Sequence, residues 1–204
     1  MNADRACLDD LTGVVAALED DPFYRSIFEE FAGNVAERRA VLARYFAYSI
    51  EEGRTVGRTV HLAEPSQGVA VWLLPQSVET RARVAAQKRQ FLQSTLGARG
   101  TDNYYRMVEY MSGKSKALVK ADAWYLSIIA VDPALQGRGL GQQLLAPTLQ
   151  EADANNATSY LETFGSRSVP FYERLGFRTV ARFDEPTTAA QYALMVRKPR
   201  APHT

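Results

Sequence analysis

The chain has 204 residues, the size of one domain, and its 24 basic against 23 acidic side chains leave a formal charge of +1, without the field expected of a nucleic-acid binder. Hydrophobic residues make up 46% of it, ample for a core. The single cysteine, Cys7, excludes an internal disulfide and a thiolate metal cage, and two histidines far apart in sequence, His61 and His203, argue against a metal site. No cationic start with an apolar run and no apolar stretch of membrane-spanning length is present, so the expectation is a cytoplasmic protein that binds no membrane, a single domain over residues 1–204 with loose termini at 1–7 and 199–204.

Leu8, Leu11, Val15 and Leu18 predict a first amphipathic helix ending near Asp20-Asp21-Pro22, and the residues ahead of Leu8 are too few and polar for a convincing strand. Phe23, Tyr24, Ile27, Phe28 and Phe31 follow as an aromatic cluster, read as a short helix on the sheet, with a pocket wall as the alternative. Leu42, Tyr45, Phe46, Ser49 and Ile50 recur at helical spacing within 35–52, with Gly53 as the expected stop. Residues 55–63 and 68–74 predict a hairpin around Glu64-Pro65-Ser66-Gln67. Two helices are expected over 77–96 and from Thr101 to about Leu118, the second rich in tyrosine (Tyr104, Tyr105, Tyr110). Arg38-Arg39, Arg81, Arg83, Lys88-Arg89, Lys114, Lys116 and Lys120 read as solvated helix faces.

Trp124 to Val131 is apolar on both alternating faces, with Trp124, Leu126, Ile128 and Ala130 assigned to one, which marks a central strand covered on both sides. Asp132-Pro133 ends it, and Gln136-Gly137-Arg138-Gly139-Leu140-Gly141-Gln142 leads into a helix carrying Leu144, Leu145 and Leu149, with Pro147 expected to kink or soften it. Glycines at 137, 139 and 141 remove the Cβ atoms that would keep a ligand off the main chain, so amides at the helix start can converge on phosphate oxygens. A nucleotide-hydrolase loop would need Lys-Ser or Lys-Thr where Gln142-Gln143 stands, and a dinucleotide fingerprint would need a different glycine spacing.

Residues 159–163 predict a strand closing on Leu161-Glu162-Thr163, and Val169-Pro170-Phe171-Tyr172-Glu173-Arg174-Leu175-Gly176-Phe177 a short helix stopped by Gly176. Two strands over 178–183 and 189–197 follow, joined by Asp184 to Thr188, where Asp184 and Glu185 read as a solvated acidic loop that could attract a cation.

Gln136-x-x-Gly139-x-Gly141 after Val-Asp-Pro resembles the acetyl-CoA pyrophosphate loop of the GNAT N-acetyltransferase superfamily, and the P-F-Y-E-R-L-G-F run resembles its second signature. Ala70-Val71-Trp72, the helical pair over 77–118 and the Met195-x-Arg197-Lys198-Pro199 close are similar to puromycin N-acetyltransferase-like members. The resemblance implies an α/β GNAT acyltransferase fold with a mixed, splayed central sheet and helices on both faces. It implies acetyl-CoA as co-substrate, no metal, and a small-molecule primary amine as acceptor, an antibiotic or other toxic amine among the options. It assigns the cofactor to Ile129, Ala130, Val131, Gln136, Gly137, Arg138, Gly139, Leu140, Gly141, Gln142 and Ser168. Ser168 stands where relatives carry asparagine, and could equally be a helix N-cap. Tyr172 takes the place of the general acid.

An amine must lose its proton to attack: for a lysine-like amine this costs about 4.6 kcal/mol at pH 7, for an α-amino group about 1 kcal/mol. The central strand has no carboxylate, which favours an acceptor of low pKa, and Glu162 is the candidate base. The alternatives are a protein or peptide N-acetyltransferase and a non-catalytic acyl-CoA sensor; the lack of a basic patch argues against aminoacyl-tRNA. Oligomeric state stays open, a homodimer included.

Overall fold

The computed structural model describes residues 11–200, so Cys7, His203, the question of a strand ahead of Leu8 and most of the expected loose termini lie outside the described residues. Helix α1 (Thr12–Leu18) and helix α2 (Pro22–Ile27) are joined by Asp21, whose carboxylate caps α2 by accepting from the Phe23 amide at 2.9 Å. Helix α3 (Val35–Val56) is capped by Asn34, which accepts from the Glu37 amide. It does not stop at Gly53. That glycine lies inside the helix, where a Cβ would sit 2.6 Å from the Val71 side chain, so it serves close packing on the sheet rather than termination. The extra turn shortens the next strand, which starts at Gly57 and not at Thr55.

Strands β1 (Gly57–His61) and β2 (Gly68–Leu73) form the antiparallel hairpin. Helix α4 (Val78–Leu118) begins on a Ser77 cap and breaks at Gly97, whose φ of 69° a side chain would resist, into arms over 78–96 and 98–118. Glu30 accepts from the Arg99 amide at 3.0 Å and so supplies the second arm's start with an acceptor. Strand β3 (Trp124–Val131), helix α5 (Leu140–Ala154), strand β4 (Ser159–Thr163), helix α6 (Val169–Arg174) and strands β5 (Arg178–Glu185) and β6 (Ala190–Arg197) complete the chain. Helix α5 runs through Pro147, which is exposed and has no backbone N–H to donate to the Gln143 carbonyl one turn earlier.

The sheet order is β1-β2-β3-β4-β6-β5, antiparallel throughout except for β3 beside β4. Two apolar cores cover its faces. One joins α1 to α4 with Val69, Val71, Ile128 and Ala130; the other joins α5 and α6 with Ala70, Trp72, Trp124, Leu126, Leu161 and Met195. The even-numbered residues of β3 therefore do not share one face. Val71 pairs with Ile128 and Trp72 with Leu126, leaving Ser127 as an extra residue, and this bulge turns the two halves of the strand to opposite cores.

The parallel ladder between β3 and β4 holds only at Trp124/Ser159 and Tyr125/Tyr160, after which the strands part. From Leu126 to Val131 the β4-facing edge of β3 has no strand partner among the described residues, and the opening so formed is where the two cavities described next meet.

Candidate active site

Beyond the parting of β3 and β4 lie two adjoining cavities. The first, about 690 Å³, lies on the α1–α4 face. Alternation along β3 and β4 aims Tyr125, Tyr160 and Glu162 into it, α2 supplies Phe23 and Tyr24, α3 Tyr45, and α4 Lys88, Tyr104 and Met111. The aromatic cluster at residues 23–31 thus gives both a helix packed on the core and, through Phe23 and Tyr24, a cavity wall. Tyr125 stacks on Tyr160 at 4.8 Å, and Tyr24 meets Tyr45 edge-on at 5.8 Å.

The second cavity, about 630 Å³, runs along the open edge of β3 at Ile129, Ala130 and Val131 to Gln136, Gly137, Gly139, Leu140, Gly141 and Gln142, with Ser168, Phe171 and Tyr172 opposite. Gly137 and Gly139 take φ values of 79° and 80°, which glycine adopts without strain, and space where their Cβ atoms would stand is open. Gly139 is the N-cap of α5 and has no side chain to cap with, so the first-turn amides of Leu140, Gly141 and Gln142 keep their donors for a ligand. Gly141 answers to packing instead: a Cβ there would stand 3.0 Å from the Phe171 ring. These features fit a diphosphate group on the loop and an extended chain beside β3. Gln136 donates to the Val131 carbonyl at 3.0 Å, closing the loop onto the strand end. Arg138 is the exception among the loop residues named from sequence, since its guanidinium turns back to the Ala134 carbonyl at 3.4 Å and does not line the cavity.

Ile129, Ser168 and Tyr172 line both cavities. Ser168 is the N-cap position of α6, as the alternative reading has it, but its side chain makes no cap bond, and the residue lines the cavity wall. Tyr172, only 7% exposed, packs against Phe171 and Phe177, and burial followed by the nearby Asp21 charge drives its pKa upward. Burial also pushes Glu162 up to about 7, although a hydrogen bond from the Tyr125 phenol pulls the other way. Glu162 Oε1 is buried with no hydrogen-bond partner among the described residues.

Three features of the first cavity escaped the sequence reading. Lys88 is no solvated cation: it pairs with Glu52 at 2.6 Å, the two side chains 16% and 7% exposed, and its ammonium lies over the Tyr104 ring. Its helical position in a polar run gave no signal of this, because the burying partner comes from α3. Asp21 lines the cavity as well, pushed up to about 6 by burial against the pull of the Phe23 and Tyr24 amides. Its Asp-Pro context reads only as the end of the first helix, whereas in the structure it caps α2. Tyr125 and Tyr160 were hidden among strand residues. The acidic loop, conversely, is not one: Glu185 ends β5 at 1% exposure and accepts from the Thr188 amide at 2.7 Å, Asp184 accepts from Gln191, and neither lines a cavity.

A sequence model of the acetyltransferase (GNAT) family matches residues 81–177, which span most of α4 through α6. Among solved structures, a Corynebacterium glutamicum ATCC 13032 protein described as histone acetyltransferase HPA2 and related acetyltransferase is 23% identical, with a TM-score of 0.62 over 100% of this chain and 96% of that one. The Pyrococcus horikoshii OT3 protein PH1933 is 15% identical, with a TM-score of 0.52 over 98% and 95%. A Drosophila melanogaster polyamine N-acetyltransferase, which forms N-acetylagmatine, is 15% identical, with a TM-score of 0.52 over 76% and 79%. At these identities the likeness is one of fold: the mixed six-stranded sheet, parted between β3 and β4 and flanked by helices, is that of the GNAT acetyltransferases.

Proposed function

We propose that this chain, which carries the GNAT acetyltransferase fold and matches that family over residues 81–177, is an acetyl-CoA-dependent N-acetyltransferase acting on a primary amine of a small molecule. The observation that carries the reading is the junction of the two cavities at Tyr172, with a loop suited to a diphosphate on one side and an aromatic chamber holding Glu162 on the other. Acetyl-CoA, when bound, supplies a thioester whose acyl carbon an amine can attack.

The amides of Leu140, Gly141 and Gln142 with the α5 dipole would hold the pyrophosphate, and the free edge of β3 at Ile129 to Val131 would pair with the pantetheine amides. A main-chain N–H at that strand end would stabilise the thioester oxygen as charge develops on it. Glu162 would take the proton from the ammonium, directly or through water. A carboxylate raised to about 7 is matched to an α-amino-like pKa near 7.8 and poorly matched to one near 10.4, which supports acceptors of low amine pKa. Tyr172 would donate a hydrogen bond to the departing sulfur; its raised pKa keeps the phenol protonated and rules out a resting phenolate.

Helices α2 and α4 wall the acceptor chamber opposite the sheet, which supports a compact acceptor over an extended polypeptide. The break-containing helical pair at 78–118 supports the puromycin-type subgroup. The test is calorimetric titration with acetyl-CoA followed by free-thiol release across small amines, including aminonucleosides, and peptides. Binding with thiol release from small amines is expected; release from peptides alone would move the assignment to protein acetylation, and binding without any release to a sensor.

A further inference from the structure

Asp21 carries more than its capping role requires. An N-cap needs one acceptor oxygen, which Asn, Ser or Thr supplies without a charge. Here a carboxylate sits in the wall of the acceptor chamber, and the groups acting on it are its buried surroundings and the Phe23 and Tyr24 amides, with no basic side chain among them. Glu162, on β4 in the same chamber, is likewise without a basic partner among the described residues, answering to burial and the Tyr125 phenol. The chamber's own buried cation, Lys88, is engaged by Glu52 at 2.6 Å. The other basic side chain of the lining, Arg167, is exposed at the mouth shared with the second cavity and forms no ion pair with Asp21 or Glu162 among the described residues. Carboxylates drawn out of water are ordinarily paired, so these two are open to a cation that a ligand can bring. Tyr24, Tyr45, Tyr104 and Tyr125 add ring faces and edges suited to an organic ammonium on an aromatic or apolar body.

We propose that Asp21 is the docking residue for the acceptor's ammonium group, holding the charged amine on the α1–α2 side of the chamber while Glu162 serves as the base. This rests on the reading of the chamber as the acceptor site. It assigns the two carboxylates different work: Asp21 sets affinity and selects cations over neutral isosteres, and Glu162 sets rate.

The test uses the full chain without acetyl-CoA, titrated calorimetrically at pH 7.5 with tyramine and with its neutral alcohol counterpart, 4-(2-hydroxyethyl)phenol. Wild type should bind tyramine about tenfold tighter, the scale of one charge-assisted hydrogen bond. Asp21→Asn keeps a capping oxygen and should lose that preference, while Glu162→Gln should keep it. Asp21→Ser, a second cap-competent change, replaces Asp21→Asn if that variant does not fold. In thiol-release assays Asp21→Asn should raise the amine KM about tenfold with kcat within about twofold. Equal binding of the two ligands by wild type, or a preference that survives in the Asp21 variant, overturns the proposal. So does a preference lost in Glu162→Gln alone. Because the preference is read without cofactor, absence of thiol release would overturn the acetyltransferase reading and leave this one standing.

Discussion

Glu162 and Tyr172 differ in what burial does for them. For Glu162, folding moves the carboxyl from 4.5 to about 7, so between those values the folded state holds a proton that the unfolded chain has lost. Stability therefore falls as pH rises across that window, by on the order of 3 kcal/mol or less once it is passed. Glu162→Gln is expected to melt higher than wild type at pH 8 and equally near pH 4.5, while losing most turnover. The same group makes kcat/KM rise with pH through about 7, and the Gln variant should lack that limb. Asp21, moved from 3.8 to about 6, adds a fall in stability of the same sign over its own lower window. For Tyr172, burial holds the phenol neutral, so Tyr172→Phe should lower kcat by about tenfold to a hundredfold, the worth of a hydrogen bond to a charged atom, with the Kd for acetyl-CoA unchanged. A weakened Kd with kcat intact would assign Tyr172 to packing.

At the scale of elements, the chamber depends on how closely α2 approaches the second arm of α4. Gly100 makes that approach possible: a Cβ there would lie 2.4 Å from the Ile27 carbonyl, and backbone must move to admit it. Asn103 ties the same pair by donating to the Ser26 carbonyl at 2.9 Å. Gly100→Ala is expected to lower Tm by several degrees, on the order of 1–3 kcal/mol of overpacking, and to raise the amine KM through displacement of Asp21 to Tyr24. The acetyl-CoA Kd should hold, since α5 and the loop before it belong to the other face. At the loop itself, Gly139→Ala meets open space but a φ of 80°, so strain of about 1–2 kcal/mol would rotate the amides away from a phosphate and weaken cofactor binding without disturbing the core.

At the scale of the whole molecule, one sheet carries two separate cores, and the site lies where the sheet comes apart. The Ser127 bulge sends Leu126 to one core and Ile128 to the other, and the β3–β4 ladder ends beside it. A ligand paired to the free edge of β3 would bridge the halves. Acetyl-CoA at a hundred times its Kd should stabilise the fold by about 2.7 kcal/mol, with hydrogen-exchange protection gained at residues 129–131 and 139–142. Stabilisation without protection at those residues would mean that the ligand binds elsewhere.

The sequence alone determined the strand-loop-helix unit at 124–154, the strand at 159–163, the short helix before Gly176 and the break near Gly97, because each is written in local periodicity, glycine placement and caps that act within a few residues. Tertiary structure decided the rest. Gly53 reads as a stop until Val71 is seen against it, and Lys88 reads as solvated until Glu52 meets it from α3. Asp21 reads as no more than the end of the first helix until α2 is seen to wall a chamber, and the faces of β3 read as regular until Ser127 is found unpaired against β2. In each case the deciding contact joins residues far apart in sequence, and burial, charge compensation and register are properties of such contacts.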